Sequence, residues 1–266
     1  MTAAPTLLSG PPAPLPGRPG HVIAIASGKG GVGKTWFAIT LAHALARSGR
    51  RVLLFDGDLG LANVDIQLGL MPAHDIASVI AGRVALADAV LRHESGFAIL
   101  AGRSGSGALA GLDAAALEGM LVALRDAACE YDHIVLDLGA GIDRTTRRLG
   151  RFADLLLVLA TEEPTSLTDA YAVLKLHHTD GGTDVTKSEA RIVVNQASTA
   201  LAGERTYATL ARACAAFLGH TPKLAGIIRR DDRVRDAIRR QTLLLQRHPN
   251  APAAADVERL VEGLLT

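Results

Sequence analysis

Between positions 28 and 35 the chain reads Gly28-Lys29-Gly30-Gly31-Val32-Gly33-Lys34-Thr35, which fits the spacing G-x-x-x-x-G-K-[ST] and carries two lysines where a phosphate-binding loop needs one. Glycines here let successive backbone N–H groups turn inward around phosphate oxygens, a path that side chains would obstruct. In such a loop Lys34 reaches the β- and γ-phosphates and the Thr35 hydroxyl binds Mg2+. The flanking residues supply the matching architecture. Val22-Ile23-Ala24-Ile25-Ala26 has the unbroken apolar character of a buried strand, and Trp36 to Ala46 reads as a helix whose N-terminus faces the anion. A buried strand, a glycine loop and a helix in that order point to an α/β fold built around a nucleotide.

The rest of the chain continues the alternation. Further strands are expected at Arg51–Phe55, Ala98–Ala101, His133–Leu138, Leu155–Ala160, Arg191–Asn195 and Lys223–Ile228, with helices at Ala114–Cys129, Ser166–His178 and Arg205–Leu218 among those between them. Near-continuous apolar strands are covered on both faces, so the expected fold is a doubly wound, mostly parallel sheet with helices on both sides and ligands at the carboxyl ends of its strands. A length of 266 residues and a hydrophobic content of 48% suit one large domain with a sizeable core. Before it, residues 1–20 contain Pro5, Pro11, Pro12, Pro14, Pro16 and Pro19 and read as a disordered Pro/Gly-rich tail. The formal net charge of +1 gives no bulk electrostatic case for nucleic acid. Cys129 and Cys214 lack metal-ligand spacing and are expected to be buried small hydrophobes in a reducing compartment. No apolar run approaches the roughly 18 residues of a membrane span. The start lacks the basic and apolar segments of a signal peptide, so a cytoplasmic location is expected.

Two further segments place carboxylates where the phosphates would sit. The buried run Leu53-Leu54-Phe55 ends in Asp56-Gly57-Asp58, and an acidic pair there is costly unless it faces metal, water or a partner. Asp58 as a cap of the next helix is the alternative. The second run, His133-Ile134-Val135-Leu136, ends in Asp137, the arrangement that holds Mg2+, usually through water. In the following Leu138-Gly139-Ala140-Gly141, Ala140 and Gly141 would let the backbone approach the γ-phosphate and respond to its loss.

The whole string Gly28 to Thr35 resembles the deviant Walker A loop of the MinD/ParA ATPases, and the resemblance covers nearly all of Val22 to Leu265. It implies a single MinD/ParA-like ATPase domain over residues 21–266 and an ATP-dependent homodimer in which Lys29 reaches the partner's nucleotide. It also implies hydrolysis of ATP to ADP and phosphate, with Lys29, Lys34 and Asp58 as the catalytic residues and Mg2+ held by Thr35, Asp58 and Asp137. Asp58 orients the attacking water in this reading, and Asp56 supports it. Asn195, in Val193-Val194-Asn195-Gln196-Ala197, matches the family position that hydrogen-bonds adenine; a strand-end asparagine that turns the chain is the alternative. Trp36 stands where many relatives place a small hydroxyl residue near the α-phosphate, and backbone contact could take its place. Gly226 to Asp231, with Val234 and Ala237, resembles the late loop beside the base, with Arg229 at the usual proline.

Within the family, the Leu53 to Asp65 segment closely matches the version in MinD and in the FlhG branch (also called FleN), which sets flagellar number and placement, and Ala160 to Tyr171 looks like the FlhG version. This resemblance implies slow turnover stimulated by dimerisation and by a protein partner such as the flagellar GTPase FlhF, and polar or membrane-peripheral placement through partners. Two features depart from the branch. The proline-rich tail has nothing like the short glutamine-containing helix that stimulates FlhF. Val257 to Thr266 stops where an amphipathic membrane helix would begin, so membrane binding by this chain is expected to be weak or absent. An alternative comes from the nucleoid-bound, cargo-positioning ParA type, in which Arg229, Arg230, Arg233, Arg239 and Arg240 would bind DNA non-specifically. Against it stands a solvated helix face neutralised by Asp231, Asp232 and Asp236. An amidotransferase of the same superfamily would need a further catalytic domain, for which the chain has no room.

Overall fold

The computed structural model describes residues 19–58, 62–102, 114–181 and 188–266, so the expected disordered tail lies outside the described residues up to position 18. Strands β1 (His21–Ser27), β2 (Val52–Gly57), β3 (Leu91–Arg92), β4 (Ala98–Leu100), β5 (His133–Ala140), β6 (Leu155–Ala160), β7 (Glu189–Ala197) and β8 (Lys223–Arg229) form one sheet. Its order is β3-β4-β2-β5-β1-β6-β7-β8. All neighbours run parallel except β3 and β4, which pair antiparallel at one edge. The helices are α1 (Lys34–Arg47), α2 (Val64–Leu68), α3 (Ile76–Ile80), α4 (Leu86–Ala89), α5 (Ala114–Ala127), α6 (Arg144–Phe152), α7 (Pro164–Asp180), α8 (Ala200–Leu218), α9 (Asp232–Arg239), α10 (Leu244–Arg247) and α11 (Pro252–Leu265).

The apolar strands divide their side chains between two cores. In β1, Ile23 and Ile25 join α1, α10 and α11 on one face, while Val22, Ala24 and Ala26 join residues of α5, α7 and α8 on the other. The period of two therefore yields a three-layer sandwich in which both faces of the sheet are buried, as the doubly wound expectation requires. Helix α1 is enclosed more fully: every residue from Trp36 to Leu45 is buried between the sheet and the α10–α11 segment. This holds the loop that precedes it against a rigid base.

One strand was not anticipated, and two local expectations are corrected. The edge strand β3 has only two residues and no apolar run, so periodicity could not reveal it. Helix α8 begins at Ala200 rather than Arg205, because the Thr199 side chain accepts a hydrogen bond from Ala202 N at 3.1 Å and caps the turn. Cys129 is exposed, because α5 ends at Ala127 and carries it past the helix onto the surface; Cys214, on α8, is buried as expected.

Chain order sets the position of the site. Strand β1 lies between β5 and β6, so the chain leaves its carboxyl end at the point where the winding of the sheet reverses. In the adjacent pair, Asp56 of β2 stands in register with Asp137 of β5. The glycine loop and both carboxylates thus meet at one edge.

Candidate nucleotide site

The loop from Gly28 to Gly33 is fixed by its carbonyls. Ser27 Oγ donates to Lys29 O at 2.6 Å, and Asn195 Nδ2 donates to Val32 O at 2.7 Å. Gln196 Nε2 donates to Gly31 O at 3.4 Å, and Phe37 N starts the helical ladder on Gly33 O at 3.0 Å. Among the described residues, no backbone N–H from Gly30 to Gly33 donates to a protein acceptor. Donors left over at a helix N-terminus suit an anion. Glycine is required for two different reasons. Gly33 holds φ 90°, a left-handed backbone that side chains disfavour. Gly28 instead lets α7 approach, since a Cβ there would meet the Asp169 carbonyl oxygen at 2.4 Å.

The two lysines separate. Lys34 is 9% exposed and its ammonium donates to Ser27 Oγ at 3.0 Å. Burial lowers its pKa, opposed by the carboxylates of Asp137 and Asp58. Lys29 stays at the surface, where its Nζ pairs with Glu163 Oε2 at 2.6 Å and donates to Thr165 Oγ1 at 3.1 Å. The same ion pair holds the Glu163 carboxyl below the usual carboxylate range.

The carboxylates divide their work. Asp56 is fully buried and accepts hydrogen bonds from the backbone N–H groups of Asp58, Asn63 and Val64 at 3.2, 3.0 and 3.0 Å. It therefore ties the segment after β2 into a turn, in keeping with a supporting role, although burial still raises its pKa to about 6. Asp58 stands over β5, where a Cβ on Gly139 would lie 3.3 Å from its Oδ1. Asp137 is 1% exposed and its Oδ1 has no hydrogen-bond partner. Burial pushes its pKa up to about 8, with neighbouring Asp56 adding to the rise, and a hydrogen bond from Thr35 and the Lys34 ammonium opposing it. A buried carboxylate oxygen without a partner costs free energy unless something binds there. Oxygen donors of Asp137, Thr35 and Asp58 are the hard ligands that Mg2+ takes, so these residues fit that ion.

Gly141 closes the edge: it holds φ 110° and its N–H donates to Ser27 O at 3.0 Å, which brings the segment after β5 against the loop. Asn195 lies near the carboxyl end of β7 and is 2% exposed, with its amide on the phosphate loop. Trp36 packs into the core at 6% exposure, and its indole N–H has no partner.

The arginine segment borders the site, with the Arg230 N–H donating to Ala197 O at 2.8 Å, and is largely paired. Arg229 grips Asp256 of α11 through Nε and Nη2, both at 2.8 Å. Asp236 binds Arg240 at 3.0 Å, Arg247 at 2.6 Å and His248 at 2.9 Å, and Arg233 lies 4.0 Å from Asp231. Among the described residues Arg230 and Arg239 form no ion pair.

Sequence reasoning assigned no role to Ser27, Glu163, Thr165 or Gln196, all of which touch the loop. Ser27 and Gln196 adjoin residues already singled out, Gly28 and Asn195, and adjacency was their only signal. Glu163 and Thr165 stood within the Ala160 to Tyr171 resemblance but gave no signal of this contact, because they meet Lys29 only through the packing of α7 beside β1.

Comparison with known proteins agrees with this geometry. The profile of the CobQ/CobB/MinD/ParA nucleotide binding domain matches residues 23–244. The chain is 38% identical to the antiactivator FleN of Pseudomonas aeruginosa over 89% of this chain and 83% of that one. It is 33% identical to the flagellum site-determining protein YlxH of Helicobacter pylori over 71% of this chain and 62% of that one. Among solved structures, the septum site-determining protein MinD of Pyrococcus horikoshii complexed with Mg-ADP superposes with a TM-score of 0.76 at 22% identity, covering 92% of this chain and 95% of that chain. With the phosphate loop, the paired strand-end aspartates and the sheet order all in place, the chain belongs to the MinD/ParA family of P-loop ATPases.

Proposed function

We propose that this chain is an ATP-dependent dimerising switch of the FlhG type that regulates flagellar number or placement. The observation that carries the reading is the division between the two loop lysines. Lys34 is drawn inward to Ser27, where it would hold the β- and γ-phosphates, whereas Lys29 stays on the surface, available to a second protomer. Similarity to FleN and YlxH supports the flagellar role.

In this mechanism the loop N–H groups and Lys34 bind and orient the triphosphate of ATP. Thr35, Asp137 and Asp58 would hold Mg2+, which supplies positive charge to the phosphate oxygens. Asp58 orients a water in line with the γ-phosphorus; the water oxygen forms the new bond as the bond to the β–γ bridging oxygen breaks, giving ADP and phosphate. Lys29 of the partner subunit stabilises the charge that develops on the bridging and γ-oxygens. Release of Lys29 from Glu163 precedes that contact. Turnover is therefore slow in the monomer and rises in the dimer and with a protein partner, for which the flagellar GTPase FlhF is the candidate.

Lys29→Ala tests this. The variant is expected to bind ATP normally and to lose the concentration-dependent part of its turnover; unchanged turnover would remove Lys29 from the mechanism. A nucleoid-bound, DNA-binding reading retains Arg230 and Arg239, the arginines of its proposed cluster without an ion pair. DNA binding that requires ATP and vanishes in high salt would favour it.

A further inference from the structure

We propose that Asn195 and Gln196 act together as positioning residues for the triphosphate, by clamping the carbonyls of Val32 and Gly31 away from it. The proposal rests on the ATP-binding reading and concerns how the loop is held, independent of the base.

A glycine-rich loop has a specific weakness. Rotation of one peptide plane exchanges its N–H for its C=O at little steric cost, and a carbonyl oxygen facing a phosphate oxygen repels it. Lys29 O is already anchored by Ser27, and Gly33 O by the first turn of α1. Of the three carbonyls between them, those of Gly31 and Val32 depend on β7. Asn195 Nδ2 takes Val32 O at 2.7 Å and Gln196 Nε2 takes Gly31 O at 3.4 Å. With these held, four carbonyls of the loop are fixed outward.

The backbone of β7 is adapted to deliver both amides. Adjacent residues of a regular strand point to opposite faces, so Asn195 and Gln196 could not both reach one loop. Here Gln196 has φ 57°, and the register between β7 and β8 shifts between Val194 and Ala197. Bulges of this kind re-aim side chains, and a non-glycine residue at positive φ costs about 1 kcal/mol or more. The loop is shaped to match: a Cβ on Gly33 would lie 2.7 Å from Asn195 Nδ2. Gly33 thus serves the clamp as well as the turn. The Asn195 amide donates to the loop while its Oδ1 remains an acceptor, so contact with adenine and support of the phosphate loop are compatible in one side chain.

The two roles separate by ligand. Binding of ATP and of inorganic tripolyphosphate, each with Mg2+, can be followed through the fluorescence of Trp36, the single tryptophan of the chain, with calorimetry as a check. Asn195→Asp replaces the donor with an acceptor at equal size, and Gln196→Ala removes the second donor at a half-buried position, which guards against a folding defect. Unchanged melting temperatures of the ligand-free variants would show that the fold is intact. The clamp predicts that Asn195→Asp weakens both ligands by the same factor, at least ten-fold, and that Gln196→Ala weakens both by a smaller common factor. Loss confined to ATP, with tripolyphosphate bound as by the wild type, would overturn the clamp and leave Asn195 a base reader. No loss for either ligand would overturn it too, as would a wild type that binds ATP but not tripolyphosphate. A wild type that binds neither would defeat the nucleotide reading itself.

Discussion

Asp137 and Asp236 hold opposite places in this molecule. Asp137 is buried at the end of β5 with one oxygen unpartnered and a pKa pushed up to about 8. Asp236 lies on the exposed face of α9, surrounded by Arg240, Arg247 and His248, which hold its carboxyl far below the usual range. The first region holds a titratable carboxyl in low dielectric without completing its hydrogen bonds; the second completes nearly all of them in solvent. Unfinished buried polarity marks a place prepared for a ligand, and finished surface polarity marks a fold holding itself together. The arginine-rich segment, conspicuous in the sequence, is thus the quieter of the two regions.

The sharpest way to break that comparison is to finish the unfinished site. Asp137→Asn resembles the protonated carboxyl that burial already favours, so the ligand-free protein should change in stability by less than about 1 kcal/mol in urea unfolding at neutral pH. The extra melting temperature that ATP with Mg2+ gives the wild type should disappear. Retention of that gain would mean that Asp137 is a core residue and no ligand of the ion.

Unpairing the finished region should have a structural cost alone. Arg229→Ala strips the main partner from Asp256, whose side chain is 3% exposed, and is expected to cost about 2 to 3 kcal/mol in urea unfolding. Arg239→Ala, on the same segment but without an ion pair, should stay within about 0.5 kcal/mol. Equal effects of the two would dissolve the distinction between paired and solvated arginines.

A smaller effect separates titration in the core from titration at the site. His43 and His133 have pKa values lowered to about 4, chiefly by burial and then by nearby cations, Arg47 and His21 respectively. Unfolding restores an ordinary value of about 6.5, so the unfolded chain takes up protons first as the pH falls. Stability is therefore full above about pH 6.5 and is lost progressively between pH 6.5 and 4, by at most about 3 kcal/mol per histidine and by less at half-buried His133. Paired unfolding curves of the wild type and His133→Gln should converge above pH 7 and diverge below pH 6. Parallel curves across that range would remove His133 as a source of the acid sensitivity.

Legibility in the sequence followed the range of the interactions. Strand β6 appeared at its expected bounds, Leu155–Ala160, because six consecutive apolar residues cover both faces of a parallel strand. The glycine loop, Asp56 and Asp137 were legible because each stands directly at the end of such a run. What escaped depends on packing between distant segments. Glu163 meets Lys29 across 134 positions, and Asp256 meets Arg229 across 27, with no local pattern to announce either pair. Cys129 was misplaced because the end of α5 decides its exposure, and helix ends are weakly encoded. Gln196 escaped because strand alternation points it away from the loop, and only its positive φ brings it back.

The central claim is that the unfinished edge of the sheet is completed by nucleotide and then by a second copy of the chain. Its most direct test is the mass of Asp58→Ala in solution, measured by light scattering after size-exclusion chromatography with ATP and Mg2+ and again with ADP and Mg2+. The account predicts a stable dimer with ATP, because without Asp58 the attacking water is not oriented while Lys34, Thr35 and Asp137 still hold the nucleotide and its ion, and a monomer with ADP. A protein that carries bound ATP and remains monomeric would contradict it, since Lys29 would then have no second nucleotide to reach.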